Sequence, residues 1–312
     1  MFSWKYVQIF KNFYVTSLPY LSHYGIIRTE KWGGAVLKKK DHAVETYYEL
    51  RNKTVVKASA LIQKSRFDMS LQQQKIVLFL ISQITPYDED FKEYEFSIQE
   101  FCRVCGISST SGKNYQDLKR CIKELADKSV WINLNGNEET LLRWVEKPYI
   151  NHNNGRIRIR LDEDMKPYLL QLKDNFTRYE LIYTLYFKSK YTIRLYELIK
   201  SIHYHEIEEY RHTFSLVELR TALGGETYKE YRDFKRRVLD VAVNEINAHS
   251  DKQVSYTPIK KGKTVVAIEF SIQTKSILER LEIRSHIEHD MGTDQLSLFE
   301  QLNQPEEQRE KV

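Results

Sequence analysis

The chain has only three cysteines in 312 residues, Cys102, Cys105 and Cys121. Three cysteines do not make a disulfide framework, and a reducing, intracellular compartment is the natural expectation. Long apolar runs are missing too: none approaches the ~18 residues of a membrane span. The opening MFSWKYVQIF is aromatic but interrupted by Lys5, with Lys11 following, and offers no clean signal-peptide core. A cytoplasmic protein without membrane contact is expected. A large charge excess is also absent: 48 Lys and Arg face 43 Asp and Glu, for a net charge of +5. Any surface for a polyanion must therefore come from local clustering.

The length of 312 residues suggests about two domains, and 41% hydrophobic residues are enough for ordinary cores. Residues 1–50 are rich in aromatics, hold Gly33-Gly34 and Lys38-Lys39-Lys40, and show no sustained period. They are expected to be a flexible extension. From Asn52 the pattern tightens. VVKASALI is a strand or extended lead-in, and residues 70–84 form a helix with Ser70 as N-cap. EFSI is a short strand, residues 99–106 a short helix, and residues 115–128 a second helix with Leu118, Ile122 and Leu125 on one face. VWINLNG, TLLRWVEKPYI and GRIRIRLD read as three strands, and DEDMKPYLLQLK as a closing helix.

The second half repeats the order at a separation of about 110 residues. Residues 183–203 read as one long helix, HTF as a short strand, and SLVELRTALGG as a short helix from Ser215 to a Gly224-Gly225 stop. Residues 228–247, YKEYRDFKRRVLDVAVNEIN, then form a helix with Phe234, Val238, Val241, Ala242 and Ile246 on an apolar stripe. Lys229, Arg232, Lys235, Arg236 and Arg237 lie off that stripe. A helix with an apolar back and a basic front suits the major groove of DNA; a solvated surface helix has the same pattern. The segment 254–272 favours the first reading, because it alternates like two strands around a tight Lys260-Lys261-Gly262-Lys263 turn. Helix, helix and a hairpin with a basic tip is the order of a winged helix. The expected architecture is α+β: an extension at 1–50, winged-helix domains at 51–173 and 174–275, and a tail at 276–312.

NKTVVKASALI, SLQQQKIVLFLISQI, LYELIKSI and FKRRVLDVAVNEIN, in that order, resemble the replication initiators of iteron-bearing, theta-replicating plasmids. The resemblance runs from about Asn52 to Ile272. It implies two winged-helix domains in tandem that bind double-stranded DNA at direct repeats of the origin as a monomer. It also implies a homodimer that represses the initiator's own gene, and recruitment of host initiator and helicase. By the same resemblance the second domain is the main reader, through Lys229, Tyr231, Arg232, Lys235 and Arg236; beside it, Arg237 belongs to the same basic face, and Lys260, Lys261 and Lys263 of the hairpin tip are expected to contact mainly phosphates. The first domain would make dimer and auxiliary DNA contacts, the latter through Lys113, Asn114, Tyr115, Gln116, Lys119 and Lys123. No cofactor, metal or catalytic residue is implied. A winged-helix repressor and a metal-dependent nickase are the rival readings.

Four further signals stand in the sequence. The stretch Gly106 to Asn114 mimics a phosphate loop but has five residues between its glycines and Asn114 where Ser or Thr should hold magnesium; it reads as a turn between helices. Cys102-Arg-Val-Cys105 with Cys121 lacks a fourth zinc ligand and reads as small buried residues. His203-Tyr-His205 matches the metal-binding pair of nicking initiators. It ends a helical period, however, in which residues two apart point to different faces. Gln295-Leu296-Ser297-Leu298-Phe299 resembles the peptide by which bacterial replication proteins bind the polymerase sliding clamp. It stands in a segment expected to be disordered.

Overall fold

The computed structural model describes residues 50–105, 112–134, 137–151, 153–202 and 209–303, all within one compact unit, Ala43–Val312. Side chains are described for the same residues except 112–115 and 292–303. The expected extension over residues 1–50 thus lies outside the described residues, apart from Leu50.

In the first half the order is β1 (Thr54–Ala58), α1 (Ser59–Gln63), β2 (Ser65–Arg66), α2 (Leu71–Ser82), β3 (Tyr94–Ser97), α3 (Ile98–Val104) and α4 (Gly112–Leu125). Strands β4 (Ser129–Asn133), β5 (Glu139–Arg143), β6 (Tyr149–Ile150) and β7 (Arg156–Ile159) follow. A 3-10 turn, Glu163–Met165, leads into the one-turn helix α5 (Lys166–Leu169). The second half runs β8 (Phe176–Glu180), α6 (Leu181–Tyr186), α7 (Lys190–Ile202), β9 (Glu209–Ser215), α8 (Leu216–Leu223) and α9 (residues 231–249). It ends with β10 (Lys252–Lys261), β11 (Thr264–Thr274) and α10 (Ile277–Asn303).

Local chemistry sets the helix starts. Ser70, Ser97 and Ser215 each accept a hydrogen bond from the backbone N–H three residues on, and the side chains of Gln73, Glu100 and Glu218 accept from the serine N–H in return. Ser97 and Ser215 occupy the same place in the two halves, within the matching phrases FSIQEF and FSLVEL. At both, a strand runs directly into a capped helix and pairs with the second strand of a later hairpin. The resulting antiparallel sheets are β3-β7-β6 and β9-β11-β10. Each half is therefore a winged helix, with β6–β7 and β10–β11 as the wings. The first half carries an inserted hairpin, β4–β5, joined to β2. The three strand segments expected there thus divide between two sheets. Helix α2 is buried on every side from Gln73 to Ser82, as befits the central helix of its domain.

The structure changes three expectations. The single helix over residues 183–203 is two. Phe187 is fully buried with extended backbone (φ −57°, ψ 142°), and Glu245 of α9 accepts from the freed N–H groups of Lys188 and, at 3.3 Å, Ser189. The closing helix at residues 162–173 is only the 3-10 turn and α5. Beyond residue 276, where only a tail was expected, the long helix α10 runs to Asn303, buries Ile287 and Met291, and donates from Arg284 to Glu180 and Asn52 at 2.7 Å each, while residues 304–312 lie outside the described ones.

The two domains also meet across residue 173. Strand β1 pairs with β8 from Thr54↔Glu180 to Ala58↔Phe176. Glu197 of α7, buried, accepts from Lys57 of β1 at 2.5 Å and from the hydroxyl of Tyr179 of β8. Arg194 of α7 reaches the carbonyls of Ile62 and Ser65 at 3.4 Å and of Ala222, in α8, at 3.1 Å, and lies 4.4 Å from the ring centre of Phe67. One guanidinium thus ties the start of the first domain to the second.

Candidate nucleic-acid interface

Gly224, at φ 67°, ends α8 in the left-handed conformation that glycine adopts without strain. Helix α9 then begins with Tyr231–Phe234, continues through a π-helical turn at Lys235–Leu239 and finishes as Asp240–His249. In that turn the N–H of Asp240 donates to the carbonyl of Lys235, five residues back. The wider turn delays the helix by roughly one residue, about 100° of rotation. As a result Phe234, Val238, Leu239, Ala242, Val243 and Ile246 are buried. Val241, expected on the apolar stripe, is 41% exposed instead.

The opposite face carries the cations. Arg232, Lys235, Arg236 and Arg237 are exposed on the helix, and Lys229 is exposed just before it. Arg236 lies 3.4 Å from Asp233. Arg232, Arg237 and Lys229 have no ion-pair partner among the described residues. Tyr231 is half-buried, and its hydroxyl meets no hydrogen-bond partner there. Lys235 is engaged: its ammonium is 2.8 and 3.0 Å from the two carboxylate oxygens of Asp240. Burial alone would raise the Asp240 pKa, but hydrogen bonds from Lys235 and Tyr256 hold it below the usual carboxylate range.

The wing is bound to this helix. Val254 of β10 and the side-chain amide of Asn247 exchange two hydrogen bonds, at 2.7 and 2.8 Å, and the Tyr256 hydroxyl donates to Asp240 at 2.5 Å. At the tip Lys261 pairs with Thr264, leaving Gly262-Lys263 as a two-residue turn with Gly262 at φ 64°. A positive φ at the first central position is the type II′ requirement. A bulge between Ile259 and Lys260 adds local twist. Lys260, Lys261 and Lys263 are all exposed. The base of the wing is therefore braced against the helix that carries these cations.

In the first domain α4 packs on α2 and α3. Gln116 and Lys123 are exposed and Lys119 half-buried, while the side chains of Lys113, Asn114 and Tyr115 lie outside the described ones. Its wing was not singled out from sequence. Arg156 and Arg158 of β7 pair with Glu95 at 2.5 Å and Glu93 at 3.4 Å, and Arg158 stacks 4.4 Å over the half-exposed ring of Tyr149 in β6. The signal was present in the alternation of GRIRIRLD, which places every arginine on one face.

Comparisons with known proteins bear on the two domains. Residues 54–200 match the domain family described as Initiator Replication protein, WH1, and residues 215–272 match Initiator Rep protein, WH2. The chain belongs to the family of replication initiator proteins. A curated replication initiation protein of Escherichia coli is 24% identical to this initiator over 218 residues, which span 67% of this chain and 66% of that protein. The crystal structure of the Pi initiator protein in complex with iteron DNA shares the fold, with a TM-score of 0.58 and 20% identity over 72% of this chain and 99% of that one.

The remaining signals fall around the initiator's two domains. Cys102, Cys105 and Cys121 are free and buried, and burial pushes their thiols up to about 11, 12 and 11. They are small core residues with protonated sulfur. Among the described residues no group of His, Cys, Asp and Glu is arranged to hold a metal. His203 and His205 lie outside the described residues, as do residues 106–111; Lys113 and Asn114 belong to α4. Gln295, Leu296, Leu298 and Phe299 fall within the helical backbone of α10, and their side chains lie outside the described ones. Among the described residues no helix is long and apolar enough to cross a membrane.

Proposed function

We propose that this initiator binds directly repeated sequences of a replication origin and starts replication there without covalent chemistry. The carrying observation is the basic surface of the second domain, where Arg232, Arg236 and Arg237 line the open face of α9 and three lysines crown the wing attached to it. A helix so presented can enter the major groove, where an arginine can contact a guanine edge through two hydrogen bonds. The wing lysines supply phosphate contacts, which carry affinity and salt dependence rather than sequence. In the first domain, Lys113, Asn114, Tyr115, Gln116, Lys119 and Lys123 of α4 are the auxiliary contacts, joined by Arg156 and Arg158 of its wing. With both domains on one duplex each repeat spans about 20 bp. The relative crystallised with iteron DNA supports this reading.

Self-association belongs to the same proposal. Trp131 and Leu141 face each other across the β4–β5 hairpin, and they and Leu134 are 43%, 48% and 45% exposed. An apolar pair beside an edge strand suits a second copy of the chain. The domain division also remains part of the proposal: residues 51–173 for dimer and auxiliary contacts, 174–275 for reading. Origin opening follows from strain imposed by several bound copies. Recruitment of host initiator and helicase rests on the family resemblance. Clamp binding through Gln295 to Phe299 would require α10 to unwind locally. Replacing Leu298 and Phe299 with alanine is expected to abolish clamp capture and spare repeat binding; unchanged clamp capture would remove that part.

The reading face is tested by fluorescence anisotropy on a duplex from the DNA flanking the gene and on a random duplex. Arg236→Ala is expected to cost about 1–3 kcal/mol on the cognate duplex and much less on the random one. Lys261→Ala is expected to weaken both and reduce the salt slope by about one. Equal effects of the two substitutions would mean that α9 is not the reader.

A further inference from the structure

Asp240 stands out on the basic face because it is an acid at the point where helix and wing meet. Phosphate-binding surfaces gain nothing from a carboxylate, which repels the backbone they approach. Yet the fold makes a specific arrangement around this one. Residues five apart on an α-helix point about 140° away from each other. The π turn closes that angle by tying the N–H of Asp240 to the carbonyl of Lys235. The two side chains are thereby stacked, with the ammonium 2.8 and 3.0 Å from the carboxylate oxygens. From the other side the Tyr256 hydroxyl of the wing donates to the same carboxylate at 2.5 Å, and the Lys235 ammonium lies 6.0 Å from the Tyr256 ring centre. Such π-helical insertions occur frequently at functional sites.

Resting on the DNA-binding reading of α9, we propose that Asp240 is a specificity-determining positioning residue. It holds Lys235 back from the phosphate backbone and fixes the wing against the reading helix. Binding of arbitrary sequence is thereby weakened more than binding of the cognate repeat. The physical basis is counterion release. Each cation that neutralises a phosphate steepens the salt dependence of binding by about 0.9 in log–log slope, whatever the sequence. A lysine committed to an internal carboxylate contributes less of that term. Arg232 and Arg237, uncommitted among the described residues, remain for the groove. The discrimination ratio therefore rises when the sequence-independent part falls.

The test uses the full chain and a random-sequence duplex of about 30 bp, long enough for both domains. Binding is followed by anisotropy over a range of salt concentrations for the native chain, Asp240→Asn, Lys235→Met and the double variant. Asp240→Asn is expected to bind random DNA about five- to tenfold more tightly at 0.1 M salt and to steepen the slope by about 0.9. Removing Lys235 should flatten the slope by about one unit more in the Asp240→Asn background than in the native one. Equal effects of Lys235→Met in both backgrounds, or an unchanged slope for Asp240→Asn, would overturn the proposal. Should Asp240→Asn fail to fold, Asp240→Glu keeps the charge with a longer reach. In that variant native-like slope supports the withholding role, and a slope steepened by about 0.9 contradicts it. Arg232→Ala with Arg237→Ala separates the two levels. If that pair weakens binding while Asp240→Asn leaves the slope alone, only the Asp240 proposal falls. If that pair has no effect, the DNA-binding reading of α9 falls with it.

Discussion

Glu197 sits between two cations at the seam of the molecule, 2.5 Å from Lys57 and 3.5 Å from Arg194, with all three side chains buried. Burial would raise its pKa, but Lys57 and Arg194 outweigh that and hold it below the ordinary glutamate value. A carboxylate with a lowered folded-state pKa contributes stability above its unfolded value, near 4.3, and that contribution is lost as pH falls through the lower folded value. Glu197→Ala is therefore expected to cost about 3–5 kcal/mol in urea unfolding at pH 7, because two buried cations lose their partner. The native chain should lose part of its advantage over the variant below about pH 4. A constant difference across that window would mean that Glu197 is not charged in the fold. At this scale the sequence was readable where one residue type does one local job. Ser70 and Ser215 as caps and Gly224 as a stop were all legible. Glu197, Arg194 and Asp240 were not, because their partners come from distant strands or from an irregular turn.

At the scale of elements, helix α9 shows where periodicity stops being informative. Its existence, its basic face and most of its buried residues follow from a regular helical period. The π turn adds a residue that no regular period contains, so Val241 leaves the core while Leu239 and Val243 enter it. Leu239→Ala is expected to cost about 2–5 kcal/mol in thermal or urea unfolding, as a deleted core side chain does. Val241→Lys should stay within about 0.5 kcal/mol. A helix without the π turn would make the lysine at 241 the more damaging change. The break at Phe187 has the same origin as the missed side chains, since it depends on Glu245 from another helix taking over the N–H groups. Likewise α10 was read only as a tail, because its buried residues, Ile287 and Met291, lie one helical turn apart in an otherwise largely polar stretch.

For the whole molecule, the duplicated order of strand, helix, helix and hairpin was legible as a repeat, and the domain families confirm two initiator domains in sequence. The join between them was not legible. A boundary at residue 173 follows the end of one hydrophobic pattern, whereas the chain pairs β1 with β8 and locks the pair to α7 through Glu197. Long-range pairing leaves no mark on local periodicity. The consequence for function is that the two proposed DNA-reading surfaces are carried by one continuous core.

The central claim is tested most directly by footprinting the purified full-length chain, with magnesium present, on supercoiled plasmid carrying the DNA that flanks its gene. Protection of several evenly spaced direct repeats, each about 20 bp and with no strand broken, is the expected result. A single protected palindrome would contradict it and make the protein a repressor. A specific nick with protein attached to the DNA end would contradict it more deeply, and would return His203 and His205 to the centre of the chemistry.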